Sequence, residues 1–389
     1  MKTFIRQLLA SSIATLVLLN LPPSLAIAGP PAPAPAPPIK YQIAFRRSAA
    51  TTYSMNKSGV AVGWETTATG TWAKVFGLDG TMTDLTGLAP TIDRDGYTWK
   101  SLERALAINA NGQIAGHGWR IEDGVPRSRL FRYSPSPSPV ENVLEVMRTV
   151  VGSTIWVKGI NDSGDVVLHA NTSGKGSTLP SQPDSSDSAW VFSGLAGYGA
   201  ATQLLNSAVP GAINNLGQVT GAINANGQSA AFRTYGSGAS LYDVFGTING
   251  GTTSRYQKSE GHDINDFGIV AGWACRGKLK SNDDTSQKAV RLGTDGKWID
   301  LGGSGANSWA TAVNNNGVSV GWGAATGIGF VHIGGTMYSI RDLIVNSPTN
   351  LRSVNAYDIS DNEDICGQIN LTNADGTGYF EAVILRPVP

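Results

Sequence analysis

Apolar and polar residues alternate along this chain with a period that recurs. Around Ala107 the order is Ala107-Ile108-Asn109-Ala110-Asn111-Gly112-Gln113-Ile114-Ala115-Gly116: an apolar residue, Asn, two variable positions, Gly, then an alternating apolar run. The same core stands at Met55-Asn56, Ile160-Asn161, Ile213-Asn214, Ile264-Asn265 and Val313-Asn314, and a degenerate seventh copy reads Ile359-Ser360-Asp361-Asn362-Glu363. Successive copies lie 46 to 53 residues apart. Self-similarity at that period marks a solenoid, a propeller or another array. Asn hydrogen-bonds backbone two residues on and Gly tolerates positive φ, so Asn-x-x-Gly between apolar runs predicts a tight hairpin. With Glu363 where the Gly should be, the last turn is expected to use Asn362 or another geometry.

Each hairpin is followed by two further strand-like segments. Leu130-Phe131-Arg132-Tyr133 and Val143-Leu144-Glu145-Val146 follow the second hairpin; Ala230-Ala231-Phe232-Arg233 and Leu241-Tyr242-Asp243-Val244 follow the fourth. Four strands per repeat is the content of one propeller blade. The seventh repeat runs out after its third strand, Phe380 to Leu385, while Tyr41-Gln42-Ile43-Ala44-Phe45 stands unassigned before the first. Laid on blade seven, that segment closes the ring and removes two sheet edges. The fold expected is all-β: a seven-bladed β-propeller of four-stranded blades over residues 41–389, its last blade completed by the N-terminal strand.

Ahead of it, residues 1–28 have a basic start at Lys2 and Arg6, an apolar stretch from Leu8 to Leu21 and a small-residue cleavage site at Ala26-Ile27-Ala28. This is the pattern of a secretory signal peptide, and Ser11, Ser12 and Asn20 interrupt it too often for a permanent membrane span. Residues 29–40 form a Pro/Ala-rich linker. The expected product is soluble, secreted to the periplasm or the exterior, and monomeric. Lys plus Arg number 29 and Asp plus Glu 29, so no net field draws it to nucleic acid or to an anionic membrane. Charged residues are only 15%, against 48 Gly and 10 Trp, which suits short strands and turns.

Ala105 to Gly116 with Leu130-Phe131-Arg132, and Ala212 to Gly221 with Ala230-Ala231-Phe232-Arg233, carry a resemblance. They resemble the HAF-type extracellular repeat family over roughly residues 50–385, departing from it at Leu168 and Glu363. The resemblance implies a propeller-like fold and bacterial export. It implies no chemistry, because members of that family mostly lack an assigned activity.

No phosphate-binding loop, Gly-x-Ser-x-Gly elbow, His-Glu-x-x-His or Cys-x-x-Cys motif is present. Asp93-Arg94-Asp95-Gly96 is only a fragment of a calcium loop, and no cofactor or metal is expected. Position within the blade is the remaining guide. Two residues before the apolar one that precedes Asn, the blades carry Tyr53, Leu106, Lys158, Gly211, His262, Thr311 and Tyr357. Four before, they carry Thr51, Arg104, Trp156, Val209, Glu260, Trp309 and Asn355. Strand alternation puts these residues and the intervening set, which is small except for Asp263 and Asp358, on opposite faces; the small set suits close packing near a crowded axis, and the large, polar set suits a binding mouth.

Tyr53, Arg104, Trp156, Lys158, Glu260, Trp309 and Asn355 are therefore candidate substrate-binding residues, with His262 and Tyr357 as candidate acid and base. The residues after the Gly of the second strand are Trp64, His117, His169, Ala222, Trp273, Trp322 and Gln368. There the tryptophans read as inter-blade core, and His117 and His169 as a further candidate pair that titrates near neutrality. The longest insertions, 171–188 and 275–287, fall on the same loop-rich face.

Two functional readings stay open. One is a binding or scaffold module whose loop-rich face holds a glycan or another cell-envelope component. The other is a polysaccharide lyase: β-elimination on a uronate-containing chain needs a His or Tyr base, an Arg or Lys to neutralise the carboxylate, and an acid for the leaving oxygen. Hydrolysis by paired carboxylates such as Asp263 and Asp358 is a weaker variant. Cys275 and Cys366 belong to non-adjacent blades, too far apart for the α-carbon separation of about 7 Å that a disulfide tolerates, so two free thiols are expected.

Overall fold

An Asn at the start of a hairpin can bind its own turn twice, and the computed structural model shows it doing so. Asn109 Oδ1 accepts from Asn111 N at 3.1 Å and Gln113 N at 2.9 Å, while Gly112 N donates to Asn109 O at 3.1 Å with Gly112 at φ +72°. The turn needs the left-handed conformation at its fourth residue, which Gly adopts without strain. The seventh turn corrects the sequence expectation. Glu363 itself takes φ +65° and donates to Ser360 O at 3.0 Å, so neither Asn362 nor a different geometry replaces the missing Gly.

The structure describes residues 39–136, 142–147, 154–173, 183–193, 201–225, 227–236, 241–248, 258–276, 287–293, 295–302, 307–323 and 329–388. The signal-peptide segment 1–28 and all but the end of the linker lie outside these. So do 174–182 and 277–286 of the two long insertions.

The strands form seven four-stranded antiparallel sheets. Their first, inner strands are Ala50–Met55, Trp99–Ile108, Thr154–Ile160, Ala208–Ile213, Ser259–Ile264, Ser308–Val313 and Leu351–Ile359. Each inner strand touches the next, and the seventh touches the first, which closes the ring. The seventh sheet is completed as the sequence predicts: strand Lys40–Ser48 pairs antiparallel with Gly378–Val388. Phe45 from this N-terminal strand meets Phe76 of blade one edge-on at 5.2 Å, so the closing strand also seals the joint to its neighbour.

Apolar burial lies between blades. One cluster joins Val62, Ala73 and Leu85 of blade one to Leu102, Ala105 and Phe131 of blade two, and comparable clusters follow around the ring. The repeat's polar signature stitches the same joints. The Asn Nδ2 donates to the backbone carbonyl of the equivalent residue one blade on: Asn56 to Asn109 O, Asn109 to Asn161 O, and so on to Asn314, which reaches Ser360 O at 2.9 Å. The Arg of the third strand does likewise, with Arg132, Arg233 and Arg291 donating to Gly164 O, Gly268 O and Gly317 O at 2.8, 2.7 and 2.6 Å. Ser360 is too short to pass the Asn bond on. At the blade seven to blade one joint Thr52 Oγ1 bonds Gly367 O at 2.7 Å instead, and Met55 N donates to Asp358 Oδ2 at 2.7 Å.

Plain alternation fails at one position that all seven inner strands share. The register slips past Tyr53, Leu106, Lys158, Gly211, His262, Thr311 and Tyr357, each an extra residue with no partner opposite. These seven β-bulges sit at the same height in all seven blades. They also explain the second Gly of the repeat: a Cβ on Gly63, Gly272 or Gly321 would stand 1.8, 1.9 and 2.0 Å from the inner-strand carbonyl of Thr51, Glu260 and Trp309. Such close approach leaves room for hydrogen alone.

Candidate functional site

Each inner strand runs from the face carrying the second-to-third and fourth-to-first connections down to its Asn turn. Three tiers of side chains therefore line the shaft above the Asn ring. The uppermost holds Thr51, Arg104, Trp156, Val209, Glu260, Trp309 and Asn355. These pair across the hairpin with Trp64, His117, His169, Ala222, Trp273, Trp322 and Gln368 of the second strands, one to one. The tryptophans read from sequence as core are thus partners of the mouth residues. Trp309 and Trp322 lie 4.6 Å apart, Trp156 stacks on His169 at 5.0 Å, and the Arg104 guanidinium sits 5.0 Å over the Trp64 ring. Trp273 is the most covered of them, 7% exposed, and donates its Nε1 to Glu260 Oε2 at 3.1 Å.

The bulge residues form the middle tier. Tyr53 is 44% exposed and lies 5.7 Å from Trp64 and 6.2 Å from Tyr357, so three aromatic rings from two blades gather on one side of the mouth. Tyr357 donates to Gln368 Oε1 at 2.7 Å, and Gln368 passes the link to Thr51 Oγ1 at 3.0 Å. Opposite them, His262 Nδ1 meets the Ala310 carbonyl oxygen at 2.9 Å. A carbonyl can only accept, so Nδ1 carries the proton and Nε2 of the neutral ring is left as a base, 3.8 Å from Glu260 Oε1.

Burial pushes the Glu260 carboxyl up, against the pull of His262 and Lys158. Lys158, from blade three, faces Glu260 across the shaft; burial holds its amine below the usual lysine range, with the Glu260 charge working the other way. Among the candidate residues, Tyr53 meets Tyr357, Tyr357 is hydrogen-bonded with Asn355, and Lys158 and His262 both feel the Glu260 charge, while Arg104, Trp156 and Trp309 hold the equivalent upper position in their own blades.

The tier below differs from expectation. Because the bulge inserts one residue, its successor is not carried to the opposite face, and Asp263 and Asp358 come near enough for the charge of one to act on the other. Asp263 Oδ2 accepts from Val313 N at 2.8 Å, and Asp358 accepts from Met55 N and, at 3.2 Å, from Ser54 Oγ. Each thereby caps the inner strand of the next blade. Burial pushes Asp263 up to about 6, and burial with the charge of Asp263 pushes Asp358 up to about 7. Simple alternation sets this pair on the face opposite the bulge residues, although the sequence already offers the two as paired carboxylates. A repeated one-residue register slip is invisible in a periodic pattern, although two Asp among Ser, Ala and Gly at one position was a signal.

His117 and His169 each lie against a carboxylate of their own blade. His169 is 3% exposed, with Nε2 on Asp187 Oδ1 at 2.9 Å and Trp156 over its face. His117 is half-buried near the rim, its Nε2 3.8 Å from Glu103. The calcium-loop fragment is occupied by the protein itself: Arg120 lies 2.7 Å from Asp93 and 2.8 Å from Asp95. No group of three or more metal-ligating side chains occurs among the described residues. Both cysteines are free and buried.

A comparison with family models finds no match, and a comparison with curated proteins finds none. Among solved structures the chain is similar to TolB from Acinetobacter baumannii at 10% identity and TM-score 0.40, over 64% of this chain and 53% of that one. It is also similar to a protein of unknown function from Dyadobacter fermentans at 9% identity and TM-score 0.39, covering 91% and 100% of the two chains. A gluconolactonase-like protein matches at 11% identity and TM-score 0.36, covering 92% and 95%. The chain therefore spans about half the length of the TolB structure. Likenesses this distant say nothing of ligand or activity, and the seven-bladed architecture stands on the strand pairing itself.

Proposed function

We propose that this chain is an exported binding module that holds a glycan, or another cell-envelope component built of sugars, in the mouth of its shaft. The observation that carries the reading is the aromatic lining. Tyr53, Trp64 and Tyr357 on one side and the Trp309–Trp322 pair on another offer ring faces around polar groups that are already oriented. A concave site with aromatic walls and a few fixed polar groups suits a ligand with both apolar faces and hydroxyls, as a pyranose has. Titration calorimetry of the purified protein with neutral and uronate-containing oligosaccharides tests it. We expect Tyr53→Ala to weaken the best ligand by about tenfold or more, equivalent to about 1.4 kcal/mol, while leaving the melting temperature unchanged. Equal affinity in wild type and variant would remove the mouth as the site.

A second reading rests on His262. With Nδ1 held by the Ala310 carbonyl, its Nε2 is positioned as a base, and Lys158 and Arg104 are cations able to neutralise a uronate carboxylate. Elimination by this set would generate an unsaturated sugar with new ultraviolet absorbance. Absence of that signal across acidic polysaccharides, with binding intact, decides for the module over the lyase.

A further inference from the structure

Lys158 is set apart from the other basic groups of the mouth. Arg104 lies over Trp64, and His262 is tied to Ala310. Lys158 has neither a hydrogen bond nor an ion pair among the described residues, although it stands at a bulge in the middle of the shaft wall. A half-buried ammonium with no counter-ion in contact is expensive, and the neutral amine is the form such a place favours. The direction in which burial moves this amine agrees. Across the shaft stands Glu260, 7% exposed, held by Trp273 and beside His262. A lone amine facing a carboxyl inclined to keep its proton is the pairing that carbonyl condensation requires.

We infer that the Lys158 amine captures the carbonyl carbon of an aldehyde-bearing ligand, foremost the open-chain reducing end of a glycan, as a reversible imine. The nitrogen lone pair forms the C–N bond while the carbonyl π pair moves to oxygen, which takes up the proton released from nitrogen. The Glu260 carboxyl then protonates the carbinolamine hydroxyl, water leaves as the C=N bond forms, and the carboxylate recovers the second nitrogen proton. One water is lost for each imine formed, nothing is oxidised or reduced, and hydrolysis reverses every step. The shaft is axial and closed by seven blades, so a chain end rather than a chain interior is what reaches this depth. This rests on the glycan-binding reading only for the identity of the ligand; the chemistry of Lys158 does not depend on it.

The test uses the full purified chain with glyceraldehyde and cyanoborohydride at neutral pH, followed by peptide mass mapping. Reduction of the imine leaves on the lysine the mass of the aldehyde less one oxygen atom. We expect Lys158 to be modified at least about tenfold faster than Lys297, whose side chain is 80% exposed. Lys158→Arg, which keeps the charge, should lose the fast adduct and retain the melting curve. Modification of Lys158 no faster than Lys297, or a fast adduct that survives in Lys158→Arg, overturns the inference. The two readings fail separately. An oligosaccharide whose reducing end has been converted to the alditol, bound by a protein that gives no fast adduct, sinks the imine and leaves the binding module standing. Fast trapping at Lys158 without affinity for that alditol does the reverse.

Discussion

Asp358→Asn is the substitution that best separates the shaft's electrostatics from its packing. The amide keeps an oxygen for Met55 N and Ser54 Oγ and gives up only the bond from the adjacent Ile359 N, so the cap on blade one survives while the charge goes. In the folded chain burial and Asp263 raise the Asp358 carboxyl from 3.8 to about 7. The folded state therefore holds this proton more tightly than the unfolded chain does. The stabilisation is complete below the unfolded value and is lost as pH rises through about 7. At about 1.4 kcal/mol per pH unit, going from pH 5 to 8 removes at most about 3 kcal/mol. Asp358 is partly open to the shaft, and solvent screening halves this to about 1.5 kcal/mol.

Urea unfolding at pH 5 and at pH 8 measures the difference. We expect the wild type to lose stability between the two and Asp358→Asn to lose about 1.5 kcal/mol less, ending as the more stable protein at pH 8. The slope that remains in the variant belongs to Asp263, which burial raises to about 6, together with Glu260, Glu363 and Asp364, whose carboxyls burial also pushes up. Parallel pH profiles for the two proteins, or a variant less stable at pH 8, would refute the argument.

Other outcomes follow from the ring. Removing residues 40–47 deprives Gly378–Val388 of its partner, so the truncated chain should melt earlier and aggregate through the open edge; an unchanged melt with monomeric elution would count against closure by this strand. Asn265→Ala loses two turn bonds and the bond to Asn314 O, so denaturant titration should show a loss of about 2–3 kcal/mol. Glu363→Gly relieves a left-handed residue at φ +65° and should gain about 1 kcal/mol, read as a shift in the urea midpoint at constant slope. Thiol counting should find two reactive groups in the denatured, non-reduced chain and essentially none before denaturation.

The sequence by itself determined the number of blades, the hairpin at each Asn-x-x-Gly and the closing role of Tyr41 to Phe45. All three follow from period and from local turn chemistry, which a single repeat already contains. It also placed Tyr53, Arg104, Lys158, Glu260, His262 and Tyr357 around one shaft, because equal positions in equal repeats reach equal places in a ring. What each repeated residue does was decided between blades. The Asn amide and the Arg guanidinium read as features of their own turn and strand, yet they bind the neighbouring blade. Of the second-strand tryptophans read as core, Trp273 is buried, whereas Trp64 and Trp322 are half-buried and stand beside mouth residues, Trp64 under Arg104 of the next blade and Trp322 against Trp309. The bulge at Tyr53, Lys158, His262 and Tyr357 leaves no mark on an alternating pattern, since one extra residue changes phase only where a partner strand exists to count against. That slip kept Asp263 and Asp358 off the opposite face, and only the closed ring brings the two near enough for one charge to raise the other.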